Sequence, residues 1–201
     1  MRNRKIAIDI VFLLPNEIGK AVCDLSKKIS LPKNQEPYVL DNIKYIPHAS
    51  ILMGIVEENK IGLIKEKLEP IIKKYLPLEL DFTGVENIKW GEVIFPYLTI
   101  RNKRELKSLQ EEIWQTVHLD YDSTRDAFFD ANISDSGIDY VGNFKKNKID
   151  KNDFDLHVTL GAGNRELVGV DFPPKAKINT VAICHLGYGC SCRKILSKIT
   201  V

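Results

Sequence analysis

The sequence repeats one short pattern in two apolar segments: a histidine is followed, two positions later, by a residue that carries a hydroxyl group. The first copy is HAS at positions 48–50, and the second is HVT at positions 157–159. Side chains alternate along a β-strand, so residues i and i+2 share one face and lie roughly 6.6 Å apart. Each copy therefore predicts a strand that presents an imidazole and a hydroxyl together.

The residues between and around these positions are apolar, which predicts that the opposite face of each strand packs against helices. This face is expected to carry Pro47, Ala49, Ile51 and Met53 in the first strand, and Leu156, Val158 and Leu160 in the second. A strand anchored on one face can hold polar groups in a fixed position on the other.

The spacing of apolar residues predicts a chain of mixed strands and helices. A strand over residues 5–14 precedes a helix that has Asn16 as its N-cap and continues to Ile29, and a turn-rich stretch follows at residues 30–37. Pro96 predicts an edge position or a bulge for its strand. The other predicted elements are strands over 45–56, 78–85, 91–100 and 156–161, helices over 59–75 and 103–117, and a final hairpin of 177–185 with 193–201 around Gly187 and Gly189.

Residues 119–153 differ in kind, because they are rich in aspartate, asparagine, serine and lysine and show no sustained period. A loop of this length in a compact domain is usually functional or mobile, or it hides short elements, here around residues 127–133 and 138–141. We interpret the segment as an insertion loop and as a candidate lid or specificity loop.

The order of elements predicts one domain over residues 1–201, built from two similar lobes at about 1–90 and 91–201. The order strand, helix, strand, helix, strand in the first half is partly echoed in the second. No residue-by-residue repeat accompanies this echo. An exchange of terminal strands between the lobes is left open.

Two imidazoles suit the cleavage of a phosphodiester, because a histidine pKa near 6.5 lets one ring be neutral and the other protonated around neutral pH. His48 and His157 are therefore the candidate catalytic pair: one ring takes a proton from the attacking water, and the other gives a proton to the departing oxygen. Ser50 and Thr159 are the candidate phosphate-binding groups. This scheme requires no metal and no cofactor, and it does not say which histidine is the base.

The segments HASIL and HVTLG resemble the H-x-[S/T]-x-hydrophobic motif of the 2H phosphoesterase superfamily, which includes 2'-5' RNA ligases and cyclic phosphodiesterases. The resemblance covers most of the chain. It implies an α+β, bilobal fold of two mainly antiparallel sheets, with helices on the outer faces and a central groove that carries both histidine motifs. It also implies acid and base roles for His48 and His157, and phosphate contacts for Ser50 and Thr159. The gap between the motifs is longer here than in compact members, because of residues 119–153.

Composition limits the partners and the location. The chain has 201 residues, of which 44% are hydrophobic, and this is enough to bury a core. A formal net charge of +2 is too small to predict tight binding of duplex DNA, whereas a small nucleotide or an RNA end remains compatible. No run approaches the roughly 20 apolar residues of a membrane span, and no signal-peptide cleavage pattern follows the first apolar run. We therefore expect a cytoplasmic protein that does not associate with membranes.

Two further groups of residues have weaker claims on function. Soft ligands cluster near the predicted hairpin, but their spacing fits no common zinc pattern, and we expect reduced thiols; the group is Cys184, His185, Cys190 and Cys192. Four aromatic residues are candidates to stack on a nucleobase, with ordinary packing as the alternative for each: Trp90, Tyr97, Tyr45 and Tyr188. Of these, Tyr188 and Tyr45 are retained as candidate substrate contacts.

The leading hypothesis is a metal-independent phosphodiesterase that acts on a 2',3'-cyclic or 2'-5' linkage in RNA or a small nucleotide. The same acid and base would also permit the reverse reaction, in which an RNA ligase joins a cyclic phosphate to a hydroxyl. A non-catalytic RNA-end or nucleotide-binding module is the alternative, and it predicts binding that survives the loss of either ring. A third hypothesis, a structural or toxin-associated protein whose insertion binds a protein partner, is supported only by the insertion itself.

Overall fold

The computed structural model of the protein describes residues 3–29, 38–90, 92–101 and 104–201. The turn-rich stretch predicted at 30–37 and the element boundaries predicted at Gly91 and Lys103 lie outside these residues, and so does the stacking predicted for the Trp90 side chain. Within the described ranges, no helix has the combination of length and apolar character that crossing a membrane requires.

Strands and α-helices alternate as far as β3, and the last four strands of the described chain follow one another without an α-helix between them. The strands are β1 (Lys5–Leu13), β2 (His48–Glu57), β3 (Leu78–Trp90), β4 (Val93–Ile100), β5 (His157–Thr159), β6 (Lys175–Ile178), β7 (Thr180–Leu186) and β8 (Cys192–Thr200). The α-helices are α1 (Asn16–Ser26), α2 (Ile61–Tyr75), α3 (Arg104–Thr116) and α4 (Asp135–Gly142). Short 3-10 turns lie at Glu58–Lys60, Arg125–Ala127 and Tyr188–Cys190, and a π-helical turn lies at Lys145–Ile149.

The strands form two four-stranded antiparallel sheets, in the orders β2-β1-β7-β8 and β5-β4-β3-β6. This architecture confirms the predicted α+β fold of two mainly antiparallel sheets. The first sheet joins strands from both ends of the chain, because β7 and β8 add to β1. Strand pairing also crosses the lobe boundary expected near residue 90, since β3 pairs with β4.

β1 is the centre of the core, and its burial follows from its composition. One face carries isoleucine and phenylalanine side chains that pack in the main core, namely Ile6, Ile8, Ile10 and Phe12. The other face carries Val11, which packs in a small apolar cluster with Ala182, Cys184 and Cys192. β1 is therefore covered on both faces.

Three local predictions need correction. The helix α1 begins at Asn16, and Pro15 is its N-cap, since the carbonyl of Pro15 accepts the first intrahelical hydrogen bond, from Gly19. Proline has no side-chain acceptor, so the helix has no side-chain cap. β3 continues beyond residue 85 to Trp90, since a register shift between Phe82 and Gly84 absorbs the irregularity at the glycine. β4 is an interior strand, and Pro96 is accommodated just outside the stretch of β4 that pairs with β5.

The insertion at 119–153 is built from short elements and starts as an addition to the first sheet. The backbone of Asp120 exchanges two hydrogen bonds with Ile55 of β2, at 2.8 and 2.9 Å. The chain then forms the Arg125–Ala127 turn, α4 and the π-helical turn before it reaches β5. α4 covers the hidden element expected around residues 138–141.

Candidate active site

His48 is the first residue of β2, and its ring is held in one orientation. Its Nδ1 atom lies 2.7 Å from the carbonyl oxygen of Ile46. A carbonyl oxygen can only accept, so Nδ1 carries the hydrogen and the neutral ring has its lone pair on Nε2. The side chain is 9% exposed, and this burial lowers the pKa of His48 to about 4. The ring is therefore neutral at physiological pH.

A buried carboxyl group, which sequence reasoning missed, lies beside His48 and Ser50. Asp9 of β1 is fully buried, and its Oδ2 atom lies 2.6 Å from the hydroxyl oxygen of Ser50 and 3.7 Å from Nε2 of His48. Burial raises the pKa of Asp9 well above its usual range. The available signal was a single acid within the apolar residues 6–13 of β1.

A β-bulge in β2 changes which residues share the face of His48 and Ser50. Ser50 pairs with Val11 and Leu52 pairs with Ile10, so Ile51 is an extra residue between them. Side chains alternate between the two faces again after the bulge, but the extra residue exchanges the faces: odd-numbered residues now lie on the side of Ser50. The prediction that Met53 lies on the opposite face is therefore wrong: Met53 pairs with Asp9 and lines the same cavity as His48.

His157 opens β5 in the second sheet, and its ring is half-buried. Its Nδ1 atom lies 3.1 Å from the carbonyl oxygen of Asp155 and 3.5 Å from the Oδ2 atom of the same residue. The ring of Tyr97 packs edge-on against the imidazole at 5.0 Å between centroids. The hydrogen bond from His157 lowers the pKa of Asp155, so a carboxylate stands next to the ring.

Tyr97 supports both residues of the second motif. It pairs with Thr159 across β4 and β5, and its hydroxyl donates to Glu86 at 2.7 Å. Burial, followed by the bond to Glu86, raises the pKa of Tyr97 to about 12. The phenol therefore stays neutral and fixed beside His157.

One cavity of about 740 Å³ contains both motifs. His48 and Ser50 line it from the first sheet, and His157 and Thr159 line it from the second. Tyr188, a predicted substrate contact, lines it as well. The structure thus brings His48 and His157 to one cavity, and Ser50 and Thr159 to the same cavity, although the two motifs are more than 100 residues apart in sequence.

Tyr45 is the predicted site residue that the structure does not bring to the cavity. It is 2% exposed, with its ring packed edge-on against Tyr38 at 5.1 Å and beneath the guanidinium group of Arg193 at 4.3 Å. A large aromatic ring gains most by complete burial, and Tyr38 lines the cavity in its place.

The insertion forms one wall of the cavity. Its lining residues are Ser134, Ser136, Gly137, Tyr140, Phe144, Lys148 and Asp153. Lys148 pairs with Asp153 at 3.0 Å and, among the residues described, is the cavity's one lysine or arginine. An apolar wall stands on the β3 and β4 side, where Ile88, Val93 and Phe95 face the same space.

The cysteine and histidine group near the terminal hairpin is divided between two surroundings. His185 points away from the cavity, with Nε2 2.9 Å from the carbonyl of Ala127. Cys184 and Cys192 are buried free thiols, and Cys190 lines the cavity. One potential ligand atom each from Cys192, Asp9 and His48 lie within 4.8 Å of one another.

No protein-family model matches this sequence, and no curated protein matches it. Solved structures do. A phosphoesterase superposes with a TM-score of 0.56 at 15% identity, covering 98% of both chains. Escherichia coli LigT complexed with 3'-AMP superposes with a TM-score of 0.55 at 15% identity, covering 98% of this chain and 99% of that chain, and apo LigT gives 0.54 at 14%. The chain therefore has the fold of this phosphoesterase and of LigT.

Proposed function

We propose that the protein is a metal-independent phosphodiesterase of the 2H type, which cleaves a 2',3'-cyclic or 2'-5' phosphodiester in an RNA end or a small nucleotide. One observation carries the proposal: His48 and His157, each with a hydroxyl residue two positions later, line one cavity from two different sheets. The fold shared with a phosphoesterase and with LigT supports it.

The surroundings of the two rings favour different roles. His48 is desolvated and neutral, with Nε2 as its free nitrogen, so it suits the base that takes a proton from water. The carboxylate of Asp155 lies 3.5 Å from Nδ1 of His157, and its backbone carbonyl lies 3.1 Å from the same atom, so the ring is held with Nε2 free. His157 therefore suits the acid that protonates the departing ribose oxygen. In the reverse direction the two rings exchange roles, and a ribose hydroxyl attacks the cyclic phosphate.

Ser50 and Thr159 are proposed to hold the non-bridging phosphate oxygens. A serine hydroxyl has one hydrogen to donate, and an ionised Asp9 at 2.6 Å would accept it. Burial favours the protonated carboxyl, which can donate to Ser50 instead. A neutral Asp9 thus leaves the hydroxyl hydrogen of Ser50 available to the substrate.

The cavity suits a nucleotide in size and in lining. Its volume of about 740 Å³ lies within the range of small-molecule sites, roughly 300–1,000 Å³. The rings of Phe95, Tyr140 and Phe154 provide apolar surface for a base, and Lys148 provides a cation for phosphate. LigT has been crystallised with 3'-AMP, ATP and NADP+, which supports a nucleotide substrate for a chain of the same fold.

The test is turnover of 2',3'-cyclic nucleotides and 2'-5'-linked dinucleotides in EDTA, with wild type, His48→Ala and His157→Ala. We expect each variant to lose about 10²- to 10⁴-fold in kcat, because each removes one proton-transfer group. His118→Ala is the matched control, since His118 is exposed and is not among the residues lining the cavity. Thermal unfolding of all variants would check that they fold.

The result that overturns the proposal is wild-type protein that turns over none of these substrates but binds nucleotide as tightly as both variants do. Binding that survives the loss of either ring would instead support a non-catalytic nucleotide-binding module. Activity that disappears in EDTA and returns with added metal would contradict the metal-independent mechanism.

A further inference from the structure

Three strands of the first sheet, together with the segment that precedes β2, bring an unusual group of side chains together beneath the cavity. Asp9 lies on β1, His48 on β2 and Cys192 on β8. The backbone N–H of Ile46 donates to the carbonyl of Cys192 at 3.1 Å, which draws the start of β8 towards His48. All three side chains are buried, and one nitrogen, oxygen or sulfur atom of each lies within 4.8 Å of the others.

We propose that Asp9, His48 and Cys192 form a binding site for a divalent ion of the zinc class. Imidazole nitrogen, carboxylate oxygen and thiolate sulfur are the ligands that zinc takes in proteins. With metal–ligand bonds of about 2.0–2.3 Å, neighbouring ligands of a tetrahedral site lie about 3.3–3.8 Å apart. The distance from Nε2 of His48 to Oδ2 of Asp9 is 3.7 Å, which is too long for a hydrogen bond and suits two ligands of one ion.

The orientation of His48 is already the one that a metal requires. Its Nδ1–H donates to the carbonyl of Ile46, so the lone pair of the neutral ring is on Nε2, on the side of Asp9. A backbone carbonyl in this position is a common outer-shell partner of a metal-bound histidine, because it fixes the tautomer and the ring orientation.

The charges of the three ligands also suit a buried divalent ion. One carboxylate, one thiolate and one neutral imidazole together neutralise a charge of +2, so the complex carries no net charge into the protein interior. The side chains of Asp9 and Cys192 are both fully buried, so no solvent competes with an ion for their oxygen and sulfur atoms. Oδ1 of Asp9 is buried and has no hydrogen-bond partner among the described residues.

Such an ion would occupy Nε2 of His48, the atom that the proposed function uses as its base. Zinc is therefore an inhibitor of this site, and this consequence rests on the proposed function, whereas metal binding itself does not. A thiol and a carboxyl group bind a metal in their deprotonated forms, so the affinity for zinc increases as pH rises.

Metal binding is measured first, on full-length, metal-free, reduced protein. Calorimetric titration with Zn²⁺ should give one tight site, and Co²⁺ should give a thiolate charge-transfer absorption band. Cys192→Ser should abolish that band and weaken Zn²⁺ binding by at least about tenfold, since even outer-shell changes cost roughly 10- to 100-fold. Cys23→Ser is the matched control, because Cys23 is also a buried free thiol but lies on α1.

Three outcomes are decisive. Weak or absent Zn²⁺ binding, or a Co²⁺ band that persists in Cys192→Ser, overturns the metal site. Tight binding that requires Cys192, together with reversible inhibition of turnover by Zn²⁺, supports the site and its inhibitory role. The same binding in a protein that turns over no phosphodiester supports the metal site and counts against the proposed function alone. Circular dichroism of Cys192→Ser checks its fold, and Asp9→Asn provides a second ligand variant.

Discussion

Asp9 is a residue whose properties are set by its surroundings. In β1 it interrupts an otherwise apolar run, and it is fully buried next to Ser50 and His48. Burial raises the pKa of this carboxyl group, because the charged form loses its hydration. Ser50 donates its hydroxyl hydrogen to Asp9 at 2.6 Å. Under the proposed function, a protonated Asp9 would leave that hydrogen available to a phosphate.

Asp9→Asn should change how stability depends on pH. In the folded protein the pKa of Asp9 is raised above 3.8, its value in the unfolded chain. The stability that this shift contributes is therefore complete below pH 3.8 and is lost as the pH rises through the folded pKa. Within that window, wild type loses up to about 1.4 kcal/mol of unfolding free energy per pH unit relative to the variant. Urea denaturation at several pH values between 4 and 9 measures the difference. Parallel curves for the two proteins would show that Asp9 titrates normally.

At the scale of elements, the open edge of β2 is covered by the start of the insertion. Gly54 permits this close approach, since a Cβ atom at this position would lie 2.7 Å from Cβ of Leu119. The paired backbone of Ile55 and Asp120 follows directly. The insertion is thus tied to the strand that carries His48, and this contact positions its cavity wall.

Gly54→Ala should lower the free energy of unfolding by about 1–3 kcal/mol, because the added methyl group overpacks the contact with Leu119. Gly62→Ala is the matched control: Gly62 lies within α2, and nothing lies within 4 Å of its added Cβ. That substitution should stabilise the protein by up to about 1 kcal/mol through helix propensity. Chemical denaturation measures both, and equal effects of the two substitutions would contradict the packing argument.

At the scale of the whole molecule, one ion pair connects three distant parts of the chain. Asp130 of the insertion accepts a hydrogen bond from the backbone of Tyr188 at 2.8 Å and pairs with Arg193 of β8 at 2.9 Å. The guanidinium group of Arg193 lies over the rings of Tyr45 and Phe129. The insertion, the terminal hairpin and the segment before β2 are joined at this point.

Asp130→Asn should lower the free energy of unfolding by about 3–5 kcal/mol, because it leaves a buried cation without its partner. The side chains of Arg193 and Asp130 are 7% and 17% exposed, so water screens the pair little. Asp126→Asn, at an exposed position in the same insertion, should change stability by less than about 0.5 kcal/mol. Urea denaturation compares the two variants, and a loss below 1 kcal/mol for Asp130→Asn would mean that the pair is not a structural connection.

Much of the fold was predictable, because local signals and tertiary packing agree along most of the chain. The apolar periods of β1, α2 and α3 match their observed bounds to within a few residues. The bounds of α4 could not be read from the sequence, since the helix has only eight residues and is polar at its start. The bulge at Ile51 was not predictable, because it arises from pairing with β1 and leaves no local signal.

The sequence by itself determined the mixture of strands and helices, the two histidine strands and the hydroxyl beside each histidine, because these follow from side-chain type and from the spacing of apolar residues. The α+β class was implied by the resemblance of the two histidine motifs to a known family. Only the tertiary structure decided that both motifs face one cavity, that Met53 joins them and that Tyr45 does not. It also placed Asp9 and Cys192 beside His48. The physical reason is that desolvation, strand register and the approach of distant strands are properties of the packed chain, and no short stretch of sequence carries them.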